Sequence, residues 1–243
     1  SLEFNGHGKT VDWLVKMRRL PADRMLDSLI ILKQAKNDDM YRIAETMVNF
    51  YQILSPVMIT FEEWKNRFDL EIKKNEKTLI QFKTILPIEL IQRLCAAQRE
   101  ILTKWGVLFQ QRIQAGRIVE GHGDLRPEHV CLEPNPVIID CLEFSEELRI
   151  VDSVDEIGYL ALECERLEAP ELAASLIASY KKLAQDYPPP ALIHFYQGFR
   201  ACLRARIAIL HLEQKNFHRD KQWQMRASHY LQLAEKHYLA IKS

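Results

Sequence analysis

The segment spanning residues 87–115 constrains the fold of this chain more than any other. Ile91, Leu94, Cys95, Gln98, Leu102, Trp105 and Phe109 recur every three or four positions, which places them on one face of a long helix, and Gly116 suits the position just past its end. A stripe of that length has to be covered by other elements, and the rest of the sequence supplies them in kind. Helical spacing predicts further helices over 21–35, 38–53 and 61–83, then over "APELAASLIASYKKLAQ" and "PALIHFYQGFRACLRARIAILHL", and finally from Lys221 to the end. With only 8 glycines in 243 residues, the expected class is mainly α with a small β component (α+β).

The β component falls in two places. In "TVDWLVKMRRL", Val11, Trp13, Val15 and Met17 alternate with polar residues; "NGHG" before them is a turn signal, and the expectation is a hairpin over residues 1–20. The second place is "HVCL" and "VIID", joined by "EPNP", whose prolines bracket a tight turn; "VIID" reads as a buried strand ending on Asp140. "SVDE" after it reads as a capping box, Ser153 bonding first-turn amides and Glu156 reaching back.

Bulk properties narrow the partners. Lys plus Arg and Asp plus Glu both total 33, so no global field draws the chain to nucleic acid or to an anionic membrane. Five cysteines, an odd number without a C-x-x-C pair, fit reduced thiols and a cytoplasmic location. No apolar run reaches the length of a membrane span. The chain opens on Ser rather than Met, as a fragment would.

One stretch carries chemistry: "GHGDLRPEHVCLEPNPVIID", residues 121–140. A sharp turn at His122, Gly123 and Asp124 presents the Asp124 carboxylate at the mouth of a cleft, where a carboxylate takes a hydroxyl proton, help worth about two to four powers of ten. Asp140, at a strand end, emerges where ligands are held. The two carboxylates, with His129 nearby, are of the type that holds Mg²⁺ on nucleotide phosphates. A zinc site from His122, His129, Cys131 and Cys141 is conceivable by residue type, but its spacing fits no common zinc module.

"GHGDLRPEHVCL", "VIIDCLEF", "VDEIGYLALECE" and "FYQGFRACLRARIAIL" together resemble the C-terminal lobe of the aminoglycoside phosphotransferases and their kinase-like, choline-kinase-type relatives. The likeness is particularly to a bacterial branch whose members are often fused to a P-loop ATPase domain. The resemblance implies a protein-kinase-like C-terminal lobe over 21–243 and, over 1–20, the remnant hairpin and hinge of an N-terminal β lobe that is largely missing. It implies ATP and Mg²⁺ as cofactors, a small hydroxyl-bearing acceptor, Asp124 as catalytic base and Asp140 as principal Mg²⁺ ligand. It further makes His122 a structural member of the catalytic loop and Asp155 the buried helix residue that holds this loop through backbone hydrogen bonds. Adenine would lie against residues 17–20, and the acceptor between the loop and the C-terminal helices.

Two departures from the family pattern are visible. The second metal ligand is an Asn in the family and His129 here, which makes Glu143 a candidate to fill in, since Mg²⁺ prefers oxygen donors. The glycine-rich phosphate cradle with its strand Lys has no counterpart in this chain; "NGHGKT" lacks the first glycine of a P-loop, and Lys9 and Lys16 are poor substitutes. The alternative reading is therefore a degenerate, non-catalytic kinase-like binding module, or a truncated fragment of an active enzyme. Arg200 and Arg204, one helical turn apart, are candidate contacts to a phosphate or carboxylate on the acceptor, against the ordinary use of pairing internally with acids such as Asp152 or Glu163.

Overall fold

The computed structural model describes residues 3, 7–11, 17–213 and 221–242. The chain is mainly helical, with ten α-helices and four short strands among these residues: α1 (Leu26–Ile31), α2 (Asn37–Ile53), α3 (Phe61–Gln81), α4 (Ile88–Lys104), α5 (Gly106–Gln114), β1 (Ile118–Glu120), β2 (Val130–Cys131), β3 (Val137–Ile138), α6 (Glu146–Arg149), β4 (Ile150–Asp152), α7 (Ser153–Arg166), α8 (Pro170–Ala184), α9 (Pro190–Leu210) and α10 (Lys221–Lys242). The hairpin expected over residues 1–20 falls largely on positions outside the described ones. Residues 17–20 have no regular structure.

Local chemistry explains several boundaries. Thr60 starts α3 through a capping box: its hydroxyl accepts from the Glu63 amide at 3.2 Å and its own amide donates to Glu63 at 2.8 Å. The helix expected over 87–115 is in fact two, broken at Trp105, whose φ of −100° and ψ of 21° leave the helical region. A Cβ on Gly106 would lie 3.2 Å from the Phe61 ring, so the glycine lets α3 approach the break. Gly116, at φ +66°, terminates α5. The helix expected over 21–35 is shortened to α1, because Met25 is extended and bridges to Cys131 of β2.

Helix α9 forms the centre, packing on α10, α7 and α3, while α8 lies against α2 and α7. Phe68 of α3 meets Phe199 of α9 with ring centroids 4.6 Å apart, and Phe109 meets Phe195 at 5.6 Å, pairs that add about 0.5–1.5 kcal/mol each beyond their burial. Helix α7 is buried on every side from Ser153 to Cys164, including Asp155, Glu156 and Glu163. Its apolar spacing points to a single buried face, and the other faces are covered too because each acid on them has a protein partner. The capping box expected at "SVDE" is replaced. Asp152 is the N-cap, accepting from the Val154 amide at 3.1 Å, and the Ser153 hydroxyl lies 2.7 Å from that of Tyr180.

Two antiparallel pairs frame the loop that follows β1. Ile118 of β1 pairs with Asp152 of β4, and Val130 of β2 with Ile138 of β3. The first pairing brings residues 121–124 beside the first turn of α7. β3 is half-buried rather than a buried strand, and Cys141 beyond it is exposed. Among the described residues, no helix is long and apolar enough to cross a membrane.

Candidate functional site

The chain leaves β1 and turns over two glycines that the geometry requires. A Cβ on Gly121 would lie 2.6 Å from Oε2 of Glu156; Gly123 has φ +84°, and a Cβ there would lie 2.9 Å from Leu142 and 3.0 Å from the Leu148 carbonyl. Glu156 fills the space so provided. Its Oε2 accepts from the His122 amide at 3.1 Å and the Tyr51 hydroxyl at 2.9 Å, and its Oε1 from the Gly123 amide at 2.6 Å. The carboxylate that holds the loop by backbone hydrogen bonds is therefore Glu156, not Asp155. Asp155, one residue earlier and facing another way on α7, is gripped by Arg200 at 2.9 and 2.7 Å, and Arg200 in turn reaches the Gly123 carbonyl at 3.4 Å.

Within the loop, Asp124 is oriented by two donors. The Tyr159 hydroxyl donates to Oδ1 at 2.9 Å and Arg126 Nε to Oδ2 at 3.0 Å. Burial, foremost, pushes the Tyr159 phenol well above its ordinary pKa, so it stays protonated and donates. Only about a fifth of the Asp124 side chain is exposed (21%). His122 is buried; its Nε2 lies 2.7 Å from the Ile139 carbonyl and its Nδ1 accepts from the Asp124 amide at 3.3 Å, which ties the loop to the end of β3. The same contacts assign its tautomer as Nε2–H.

The metal candidates are placed less favourably. His129 is buried, its Nδ1 donating to the Asp124 carbonyl at 2.8 Å and its Nε2 accepting from Arg126 Nη2 at 3.0 Å. Its one lone pair is thus already engaged. Asp140 sits 3.2 Å from that nitrogen, with a left-handed φ of +63° and 75% of its side chain in solvent. Glu143 is exposed, and no hydrogen bond or ion pair holds it among the described residues. No three His, Cys, Asp or Glu side chains among the described residues converge on a metal-sized point. That sets aside the zinc reading and leaves Asp140 and Glu143 as separate solvent-facing carboxylates. One such carboxylate fits Mg²⁺ arriving on substrate phosphates with its waters, and does not fit a closed protein cage.

Asp124 forms part of the wall of a cleft of about 510 Å³ between α3, α9, α7 and residues 142–151. Arg200 and Arg204 line it as well. Both are also paired internally: Arg200 with Asp155, and Arg204 through Nε with Glu163 at 3.7 Å and the Tyr230 hydroxyl at 3.5 Å. Burial pulls the Arg200 guanidinium down, and the Asp155 carboxylate more than offsets it, so its pKa is raised. The residues that sequence reasoning missed are Glu156, Tyr159, Arg126, Tyr51 and Arg67. Arg126 and Tyr159 lie inside segments that carry the resemblance; Tyr51 and Arg67 sit on helices far from it in sequence and carried no signal.

No protein-family model matches the chain. It is similar to uncharacterised proteins of Mycobacterium bovis and Mycobacterium tuberculosis, at 29% identity over 219 residues, which cover 86% of this chain and 42% of each of those proteins. The match therefore spans less than half the length of these curated relatives.

Proposed function

We propose that the chain is the base-bearing and metal-bearing lobe of a kinase-like phosphotransferase acting on a small hydroxyl compound. The observation that supports this reading is Asp124: a carboxylate held at the wall of a cleft by Tyr159 and Arg126, on a loop that Glu156 and His122 fix from both sides. A carboxylate has about four lone-pair sites, so two donors orient it and leave room for an incoming hydroxyl. In the proposed reaction the acceptor oxygen bonds to the γ-phosphorus of ATP, the bond to the β-phosphate oxygen breaks, ADP leaves, and the hydroxyl proton passes to Asp124. Mg²⁺, when bound, neutralises charge on the phosphates, and Asp140 is the residue that would hold it. The activity of the whole protein, and any P-loop ATPase domain fused to it or partnered with it, belongs to the same proposal.

The competing reading is a non-catalytic binding module of the same ancestry. The observation in its favour is His129, whose imidazole is committed to Arg126 and the Asp124 carbonyl where the family places a metal ligand. Calorimetric titration with Mg-ATP separates the two. Binding that disappears in Asp140→Ala, with phosphoryl transfer that falls by about two to four powers of ten in Asp124→Asn, supports the enzyme. Mg-ATP binding without transfer, or binding indifferent to Asp140→Ala, supports the module.

A further inference from the structure

We infer that the cleft before Asp124 receives a small molecule carrying a phosphate or carboxylate, and that Arg67 and Arg204 hold that anionic group. Calling this molecule the acceptor rests on the phosphotransferase reading; the anion site does not. The charges along the cleft carry the inference. Five cationic side chains line it, Arg67, Lys74, Arg200, Arg204 and Arg206, and the acids among them are already engaged. Glu71 accepts from both Lys74 and Arg206 at 2.7 Å. Asp155 is held by Arg200 and Asp124 by Arg126 and Tyr159. Glu147 stands at the exposed rim, 4.0 Å from Arg67.

Donors are left over on two helices. Arg67 of α3 spends Nη2 on the backbone carbonyls of Glu147 and Ile150, which carry no net charge, and its Nη1 is buried with no partner. Burial, foremost, pulls its pKa down, with Arg200 adding repulsion of the same sign. Arg204 of α9, 5.8 Å over the Tyr230 ring, hydrogen-bonds only through Nε, and neither Nη1 nor Nη2 makes a hydrogen bond among the described residues. It lines the same cleft as Asp124. An N–H without an acceptor is destabilising where water is excluded, and a guanidinium fork matches phosphate and carboxylate alike. An anion would satisfy both forks, while the apolar wall of Phe199, Leu203 and Ile207 suits a short hydrocarbon body. A polycation of the aminoglycoside type would meet the leftover guanidinium donors of Arg67 and Arg204, with Glu147 at the rim as the one lining acid whose carboxylate makes no hydrogen bond among the described residues.

Titration calorimetry without nucleotide reads the sign of the site, using glycerol 3-phosphate and glycerate as anions, glycerol as their neutral analogue and spermine as polycation. At least one anion is expected to bind tenfold or more tightly than glycerol, and spermine to give no heat. Arg67→Gln and Arg204→Gln should each weaken that anion by tenfold or more, with Arg204→Lys intermediate. Circular dichroism checks each variant; because Arg204 also touches Glu163, Arg67→Gln decides the matter if Arg204→Gln does not fold. The inference is overturned if neither anion binds, if spermine binds more tightly than both, or if the anion binds equally to wild type and Arg67→Gln. Loss of Mg-ATP binding or transfer alone would remove the phosphotransferase reading and leave the anion site standing.

Discussion

A buried arginine and two half-buried ones in this molecule make opposite uses of the same side chain. Arg112, on α5, bonds carboxylates through all three nitrogens: Nε and Nη2 bond both oxygens of Asp152 at 2.8 and 2.6 Å, and Nη1 and Nη2 bond Asp186 at 2.5 and 2.8 Å. Its acids are finished in turn by Tyr196 on Asp152 at 3.0 Å and Tyr180 on Asp186 at 2.7 Å. Arg67 and Arg204, at the cleft, keep donors that nothing in the described protein accepts. The difference teaches how to separate scaffold from site. A buried charge whose three nitrogens all bond carboxylates locks elements together, here α5 to the start of α7 and the end of α8, whereas a half-buried one with donors left over is tolerated for something that arrives later.

The contrast breaks most visibly at Arg112. Arg112→Met strands two buried carboxylates, and about 3–5 kcal/mol of folding stability should be lost, read as a shifted urea midpoint. A loss under about 1 kcal/mol would mean the network is not structural. Glu156 is the next largest. Glu156→Gln turns one acceptor into a donor facing an amide, and a loss of about 1–3 kcal/mol is expected. It should be accompanied by faster amide hydrogen exchange at His122 and Gly123. Unchanged exchange there would return the loop-holding role to another group.

These two residues also mark how far the sequence could be read. The helical body, the β2–β3 hairpin, Gly116 as a terminator and the 121–140 stretch were legible, because period, turn residues and motif spacing are local properties. Glu156 was legible only as a cap, since three-residue spacing after Ser153 fits a capping box as well as it fits a reach to a loop that is distant in sequence. Asp155 and Glu156 are adjacent and both acidic; which one meets the loop is set by the β1–β4 register that puts Ile118 opposite Asp152, a non-local fact. The pairing of Arg112 with Asp152 and Asp186 joins three helices and left no pattern in any one of them. At the site, Asp124 and His122 could be placed by motif, but the commitment of the His129 lone pair to Arg126 needed the folded geometry.

Buried bases that carry no charge extend the comparison. His237 has Nδ1 3.0 Å from Nδ1 of His194 and a buried Nε2 that makes no hydrogen bond and lies 3.5 Å from Oε2 of Glu165, itself engaged by Lys236. Burial, foremost, pushes its pKa down to about 3 from 6.5. A depressed pKa stabilises the fold above the unfolded value. That contribution shrinks as pH falls from 6.5 towards 3, because the unfolded chain takes up a proton that the folded one refuses. The slope from this residue approaches about 1.4 kcal/mol per pH unit. Denaturation curves at pH 7.5 and 5.5 should differ by about 1 kcal/mol less in His237→Asn than in wild type. An equal acid sensitivity would show that the ring is already charged or already wet.

The smallest effect is expected where the contrast is sharpest. Arg67 is as much a guanidinium as Arg112, and if every arginine packed into this fold were scaffold, its removal would cost as much. Arg67→Gln removes two hydrogen bonds to carbonyls, each worth about 1.5–3 kcal/mol when the donor is charged, together with the 4.0 Å pair to exposed Glu147 and the contact over the Trp64 ring at 5.3 Å. It also removes an orphaned buried N–H and the repulsion from Arg200, which return free energy of the same order. The net change in stability should fall within about 1 kcal/mol of zero, against the loss of several for Arg112→Met. A penalty comparable to that of Arg112 would place Arg67 with the scaffold and take away the leftover donor that marks the cleft. A near-neutral change, paired with lost anion binding, would show an arginine kept for what it binds, at no gain to the fold.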